Sequence, residues 1–169
     1  MSNIKKYKKI ETEYYPNGKI KREGNYKNGK KNGEWYLYHP NGNFSEEMNY
    51  IDGKLNGKYF RYDDNGQIIE EGQYKDNERI GIWANKCHHT FGVMDSVYGN
   101  WEEGEYINDL GEGKWKVYII DFHSKRLVGT INYKNGQRHG TLSYWGFNRD
   151  LTKRVKKYEY YKDGERIDK

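Results

Sequence analysis

The chain has 169 residues, a single cysteine and a formal net charge of only +5. Leu, Ile, Val and Phe together supply 29 residues, a share low enough to suggest disorder, but aromatics reach 17%. Rings can cover a sheet where a thick aliphatic core is missing, so the composition predicts a thin sheet with aromatic faces. One cysteine excludes an intrachain disulfide, and no stretch has the apolar run of a signal peptide or membrane span, which makes a cytoplasmic location the expectation.

In chain order, Tyr15-Pro16-Asn17-Gly18 reads as a turn, Ile20 to Tyr26 as a strand and Asn28-Gly29 as the next turn. Gly33 to Tyr38 is then a strand, His39-Pro40-Asn41-Gly42 a turn, Phe44 to Tyr50 a strand and Asp52-Gly53 a turn. Gly57 to Tyr62, Asp63 to Gly66 and Ile68 to Tyr74 repeat this order. Equivalent residues lie 24 apart: Gly33, Gly57 and Gly81; Trp35, Tyr59 and Trp83; Tyr26, Tyr50 and Tyr74; Glu23, Glu47 and Glu71. A fixed period of this length marks a repeat architecture, and the unit is a β-hairpin.

Strand facing depends on the turn. A two-residue Asn-Gly turn sets Trp35 opposite Met48 and Gly33 opposite Tyr50, with the Tyr50 and Tyr74 rings covering Gly33 and Gly57. A Pro-Asn-Gly turn with a glycine bulge sets Tyr38 opposite Phe44, and likewise Tyr14 opposite Ile20 and Tyr62 opposite Ile68. A one-residue slip moves side chains to the other face, so the two alternatives stand side by side.

After Trp83 the period breaks. Tyr106 aligns with Tyr74 at a spacing of 32, which leaves an insert over 84–100. The array resumes at Gly113-Lys114-Trp115 and again at Gly140, with slack near Asp121 to Lys125 and Trp145 to Thr152. The whole chain, 1–169, is read as one array: regular repeats over 10–83, the insert over 84–100 and irregular repeats over 101–169. About 11 strands are expected, in an all-β, elongated and twisted single-layer antiparallel meander of repeated hairpins.

The unit Gly33-Glu34-Trp35-Tyr36-Leu37-Tyr38, with Tyr26-Lys27-Asn28-Gly29-Lys30-Lys31-Asn32-Gly33, resembles the variant MORN repeat (membrane occupation and recognition nexus). The resemblance is specific over about residues 14 to 83 and weaker beyond. It implies a single-layer run of β-hairpins and a binding function: protein contacts, membrane association or phosphoinositide binding. Bacterial chains of similar repeats are labelled as antitoxins of toxin–antitoxin pairs, and others as phosphatidylinositol-phosphate kinases. The kinase label finds no support in the residues, because no glycine loop, P-loop or catalytic-loop motif is present. No catalytic residue and no cofactor is implied.

Cys87, His88 and His89 carry metal-binding and nucleophilic groups, but no second ligand pair completes a closed zinc site and no orienting partner suggests a thiol enzyme. A loop with incidental donors is the simpler reading. Charge says more. Residues 1–31 carry +7, residues 32–112 carry −10 and residues 113–169 carry +8. Lys153, Arg154, Lys156 and Lys157 form a candidate patch for anionic lipid, although lysines on terminal strands also discourage edge pairing, as do Lys5, Lys6, Lys8 and Lys9. Nucleic acid is a weaker reading, since rings at a 24-residue period serve packing first. The expected function is a non-catalytic protein-binding scaffold. Its candidate face comprises Tyr36, Phe60, Glu23, Glu47, Glu71 and Glu103, with a toxin as one implied partner and anionic lipid as the alternative.

Overall fold

A computed structural model describes residues 10–87, 100–120, 125–147 and 154–168. They form an all-β fold of 14 antiparallel strands, with no helix among the described residues. Two compact units divide the chain, Met1–Glu78 and Arg79–Lys169. The first holds β1 (Ile10–Tyr14), β2 (Ile20–Lys27), β3 (Lys30–Tyr38), β4 (Phe44–Ile51), β5 (Lys54–Tyr62) and β6 (Ile68–Lys75). The second is built from β7 (Glu78–Cys87), β8 (Asn100–Ile107), β9 (Leu110–Ile120), β10 (Lys125–Lys134), β11 (Gln137–Arg138), β12 (Gly140–Phe147), β13 (Arg154–Lys162) and β14 (Glu165–Ile167). Within each unit the strands neighbour one another in chain order, except that β10 pairs with both β11 and β12.

The strand number corrects the expected count of about 11. A two-residue turn costs almost no chain, so strands restart directly after it, and short β14 forms after Asp163-Gly164. A break at His139 also splits one strand into β11 and β12.

Both turn types occur, at opposite ends of the hairpins. Asn28-Gly29, Asp52-Gly53 and Asp76-Asn77 have positive φ at both residues, as do Asn108-Asp109, Asn135-Gly136 and Asp163-Gly164. This is the two-residue hairpin turn whose twist matches the strands. At the other end, Tyr15–Gly18, His39–Gly42 and Asp63–Gly66 are closed by amide-to-carbonyl bonds of 2.8–3.0 Å. Of these residues only the final glycine has positive φ, and a bulge follows in the register. The bulge reconciles the two alternatives. Gly33 faces Tyr50 and Trp35 faces Met48 before it, and Tyr38 faces Phe44 after it.

The expected covering of Gly33 and Gly57 by Tyr50 and Tyr74 does not hold for Gly57, where the register is right but the space belongs to Asn49. Gly33, Gly57, Gly81, Gly113 and Gly140 recur because each sits at positive φ. Rings do cover glycine elsewhere. A Cβ on Gly24 would fall 2.3 Å from Trp35, and one on Gly104 would fall 2.1 Å from Trp115.

One face of the first unit is closed by the row Gly24, Trp35, Met48, Tyr59 and Gly72, which the register aligns across β2 to β6. Trp35, Met48 and Tyr59 are buried. Tyr26 and Tyr50 meet Trp35 edge to face, and Lys31 caps the rings of Trp35 and Tyr50 at 4.4 and 4.8 Å. The aromatic cover thus matches expectation here. In the second unit ring contacts recur, with Tyr106 edge-on to both Trp83 and Trp115, and aliphatic residues join them. Trp115 packs with buried aliphatic residues Val117, Val128, Ile131 and Leu142, and tyrosines line that cluster.

Candidate functional site

The opposite face of the first unit is open. Because side chains alternate along a strand, burying Trp35 and Tyr59 turns Tyr36 and Phe60 outward. The pairings Glu23 to Tyr36, Tyr36 to Glu47, Glu47 to Phe60 and Phe60 to Glu71 then make one continuous row across β2 to β6. Acidic and aromatic residues alternate along it, and all five are partly exposed. Five of the six residues expected to form a protein-binding face are therefore brought together.

Glu103 is not among them. It belongs to the second unit, where Lys125 Nζ lies 2.8 Å from its carboxylate. Among the described residues, no lysine or arginine is paired with Glu23, Glu47 or Glu71. By contrast Glu13 is held by Lys21 and Arg22, and Glu70 by Arg61.

Two carboxylates of the row are oriented by Tyr38 and Tyr62, which the sequence identifies only as cross-strand neighbours of Phe44 and Ile68. Tyr38 Oη donates to Glu23 Oε1 at 2.7 Å, and Tyr62 Oη donates to Glu47 Oε1 at 2.7 Å. The 24-residue period is the signal that could have revealed them, since Tyr38 and Tyr62 keep the same offset from Glu23 and Glu47. Burial, followed by the bond to Glu47, pushes the Tyr62 phenol up to about 12. Burial and the bond to Glu23 raise Tyr38 in the same sense. Both phenols therefore stay protonated donors at neutral pH. Tyr36 is raised chiefly by its 3.0 Å bond to Glu34.

Phe44 joins the row to these tyrosines. It is 41% exposed, stacks on Tyr38 at 5.0 Å and approaches Tyr36 and Tyr62 at 5.7 and 6.3 Å. Beside it, a cleft of about 330 Å³ opens between β3, β4 and β5, lined in part by Glu34, Tyr36, Glu47, Asn49, Lys58 and Phe60. The cleft offers aromatic surface for apolar contact and carboxylates able to receive cations or N–H donors, with the Lys58 ammonium among its lining groups.

The candidate lipid patch is not assembled on one face. Lys156 and Lys157 are consecutive on β13, pair with Trp145 and Tyr144, and so point to opposite faces. Arg154 opens the same strand, and Lys153 lies outside the described residues. Lys5, Lys6, Lys8 and Lys9 lie outside them too, as do His88 and His89. Cys87 ends β7 opposite Asn100, so the strand pair runs into the segment assigned to the insert. Among the described residues there is no group of His, Cys, Asp or Glu side chains suited to a metal ion.

Residues 9–28, 31–52 and 55–76 match the family model described as the MORN repeat variant. Each match spans one hairpin of the first unit and contains the residues that build the row: Glu23, then Tyr36 and Glu47, then Phe60 and Glu71. No curated protein matches the chain.

Proposed function

We propose that the chain is a non-catalytic scaffold that binds a protein partner through the open face of its first unit. The observation that carries this reading is the row Glu23, Tyr36, Glu47, Phe60 and Glu71, aligned by strand register, whose carboxylates have no lysine or arginine partner among the described residues. The MORN variant match supports it, since such repeats serve as binding scaffolds. A half-exposed aromatic patch with oriented carboxylates suits a partner with apolar and basic residues. A toxin neutralised by this contact is the form of partner that the resemblance to antitoxin-like chains implies.

The test compares captures from native lysate by three chains: the natural one, a Tyr36→Ala/Phe60→Ala variant and a Lys156→Gln/Lys157→Gln variant. Both altered pairs are surface positions, so the variants should fold. A stoichiometric protein held by the natural chain and the lysine variant, and lost by the aromatic variant, is expected. Equal capture by all three would remove the reading. Recovery of anionic lipid alone, lost at high salt and with the lysine variant, would replace it with peripheral membrane binding.

A further inference from the structure

We infer that the segment received by this row is a polyproline II stretch carrying lysine or arginine at every third residue. The inference rests on the reading of that face as a protein-contact surface, and names the chemistry of what it contacts.

The argument is one of spacing. Neighbouring strands lie roughly 4.8 Å apart, and equivalent residues of successive hairpins are two strands apart. Glu23, Glu47 and Glu71 therefore recur at roughly 9.6 Å, and Tyr36 and Phe60 recur at the same interval, set between them. A polyproline II helix has three residues per turn and rises roughly 3.1 Å per residue, so its own repeat is roughly 9.3 Å. Over the full row the two scales drift by less than about 1 Å. Other conformations fit worse. An extended strand returns a side chain to one face every ~6.7 Å, which puts cations out of step after a single carboxylate. A helix returns one after seven residues, or ~10.5 Å, and drifts by about 2 Å across the row.

The chemistry agrees with the spacing. Segments of this conformation dock on aromatic-lined grooves, because they are extended before binding and lose little entropy. Tyr36 and Phe60 offer the aromatic surface, Phe44 extends it, and the carboxylates between them receive the cations. An arginine is the better fit, since its planar group can bond a carboxylate while stacking on the adjacent ring. The Tyr38 and Tyr62 hydroxyls hold Glu23 and Glu47 in place beforehand. Lys58 also lines the cleft, two residues before Phe60 on the same strand, but pairs with Gln73 and so lies outside the row.

The test uses the full chain and two labelled peptides of identical composition. One is three arginine-proline-proline triplets; the other has its three arginines adjacent, followed by six prolines. Fluorescence anisotropy at moderate salt should show the triplet peptide binding at least about twofold more tightly, as two misplaced surface ion pairs would give. Glu47→Gln keeps an acceptor for Tyr62 but removes the central charge. It should weaken the triplet peptide about two- to fivefold, with an unchanged melting temperature. Equal affinity for the two isomers, no saturable binding of the triplet peptide, or indifference to Glu47→Gln would each overturn the inference. In those cases, partner capture that still depends on Tyr36 and Phe60 leaves the scaffold reading standing. Capture unaffected by that pair would sink both.

Discussion

Gly24→Ala is the sharpest probe of how the closed face is held. Gly24 sits opposite Trp35, and a Cβ there would lie 2.3, 2.4 and 2.6 Å from ring atoms Cδ2, Cε2 and Cγ. Ordinary carbon contacts are about 3.5–4.0 Å, so the indole must retreat by about 1 Å. It has little room, being 2% exposed and wedged between Tyr26 and Tyr50. Retreat would also stretch the 3.0 Å bond from Trp35 Nε1 to the Asn25 carbonyl. Overpacking of this kind costs about 1–3 kcal/mol, and a weakened hydrogen bond adds up to about 1 kcal/mol. Trp35→Ala alone should cost about 3–5 kcal/mol. In that background the added methyl meets no ring, so Gly24→Ala should cost nearly nothing, a coupling of about 2–3 kcal/mol. Urea unfolding followed by far-UV circular dichroism on the four chains measures it. The same penalty for Gly24→Ala in both backgrounds would refute the ring-over-glycine account.

Gly29 gives the contrasting case, because a Cβ there meets nothing within 4 Å while φ is +73°. Gly29→Ala should lose about 1 kcal/mol through backbone strain alone, with no dependence on Trp35, as thermal melts of single and double variants would show. Lys31→Gln removes a cation from over Trp35 and Tyr50 and should lower stability by about 0.5–1 kcal/mol, which Lys31→Arg should largely restore. Tyr62 predicts a pH effect. Its phenol, pushed up to about 12, keeps its proton beyond the roughly pH 10 at which an unfolded tyrosine loses it. Its contribution is full below about pH 10 and is lost as pH rises through the folded value. Tyr62→Phe should therefore flatten the decline in stability between about pH 10 and 12, and an unchanged slope would count against the Tyr62–Glu47 bond.

How much of this could be read from residues alone follows from what each signal encodes. The hairpins were legible because Asn-Gly and Asp-Gly pairs announce positive φ, and because the 24-residue period repeats them. The choice of turn was not, since both turn types occur and a bulge absorbs the difference between Leu37 and Tyr38. The row Glu23, Tyr36, Glu47, Phe60 and Glu71 was visible as a set of equivalent residues, but its alternation is a property of register between strands. Glu103 shares the Glu-Glu pair of Glu102-Glu103 with Glu46-Glu47 and Glu70-Glu71, yet lies beside Lys125, a neighbour that no local pattern encodes. The split of Lys156 from Lys157 follows from the strand period, and a charge count along the chain is blind to it.

The two faces of the first unit explain each other. A thin sheet with few aliphatic residues must find its stability on one side, and large rings laid over glycine provide it. Trp35 over Gly24, edge-on to Tyr26 and Tyr50, fills that side with packed rings. Every second residue is then released from packing. On the released side the hydroxyls of Tyr38 and Tyr62 orient the carboxylates of Glu23 and Glu47, which have no lysine or arginine partner among the described residues. Glu70, one residue from Glu71 and on the closed face, does have its cation in Arg61. Adjacent acidic residues are thus treated in opposite ways, and under the proposed scaffold reading the charges of the open face serve a partner, so neutralising them should weaken binding more than folding.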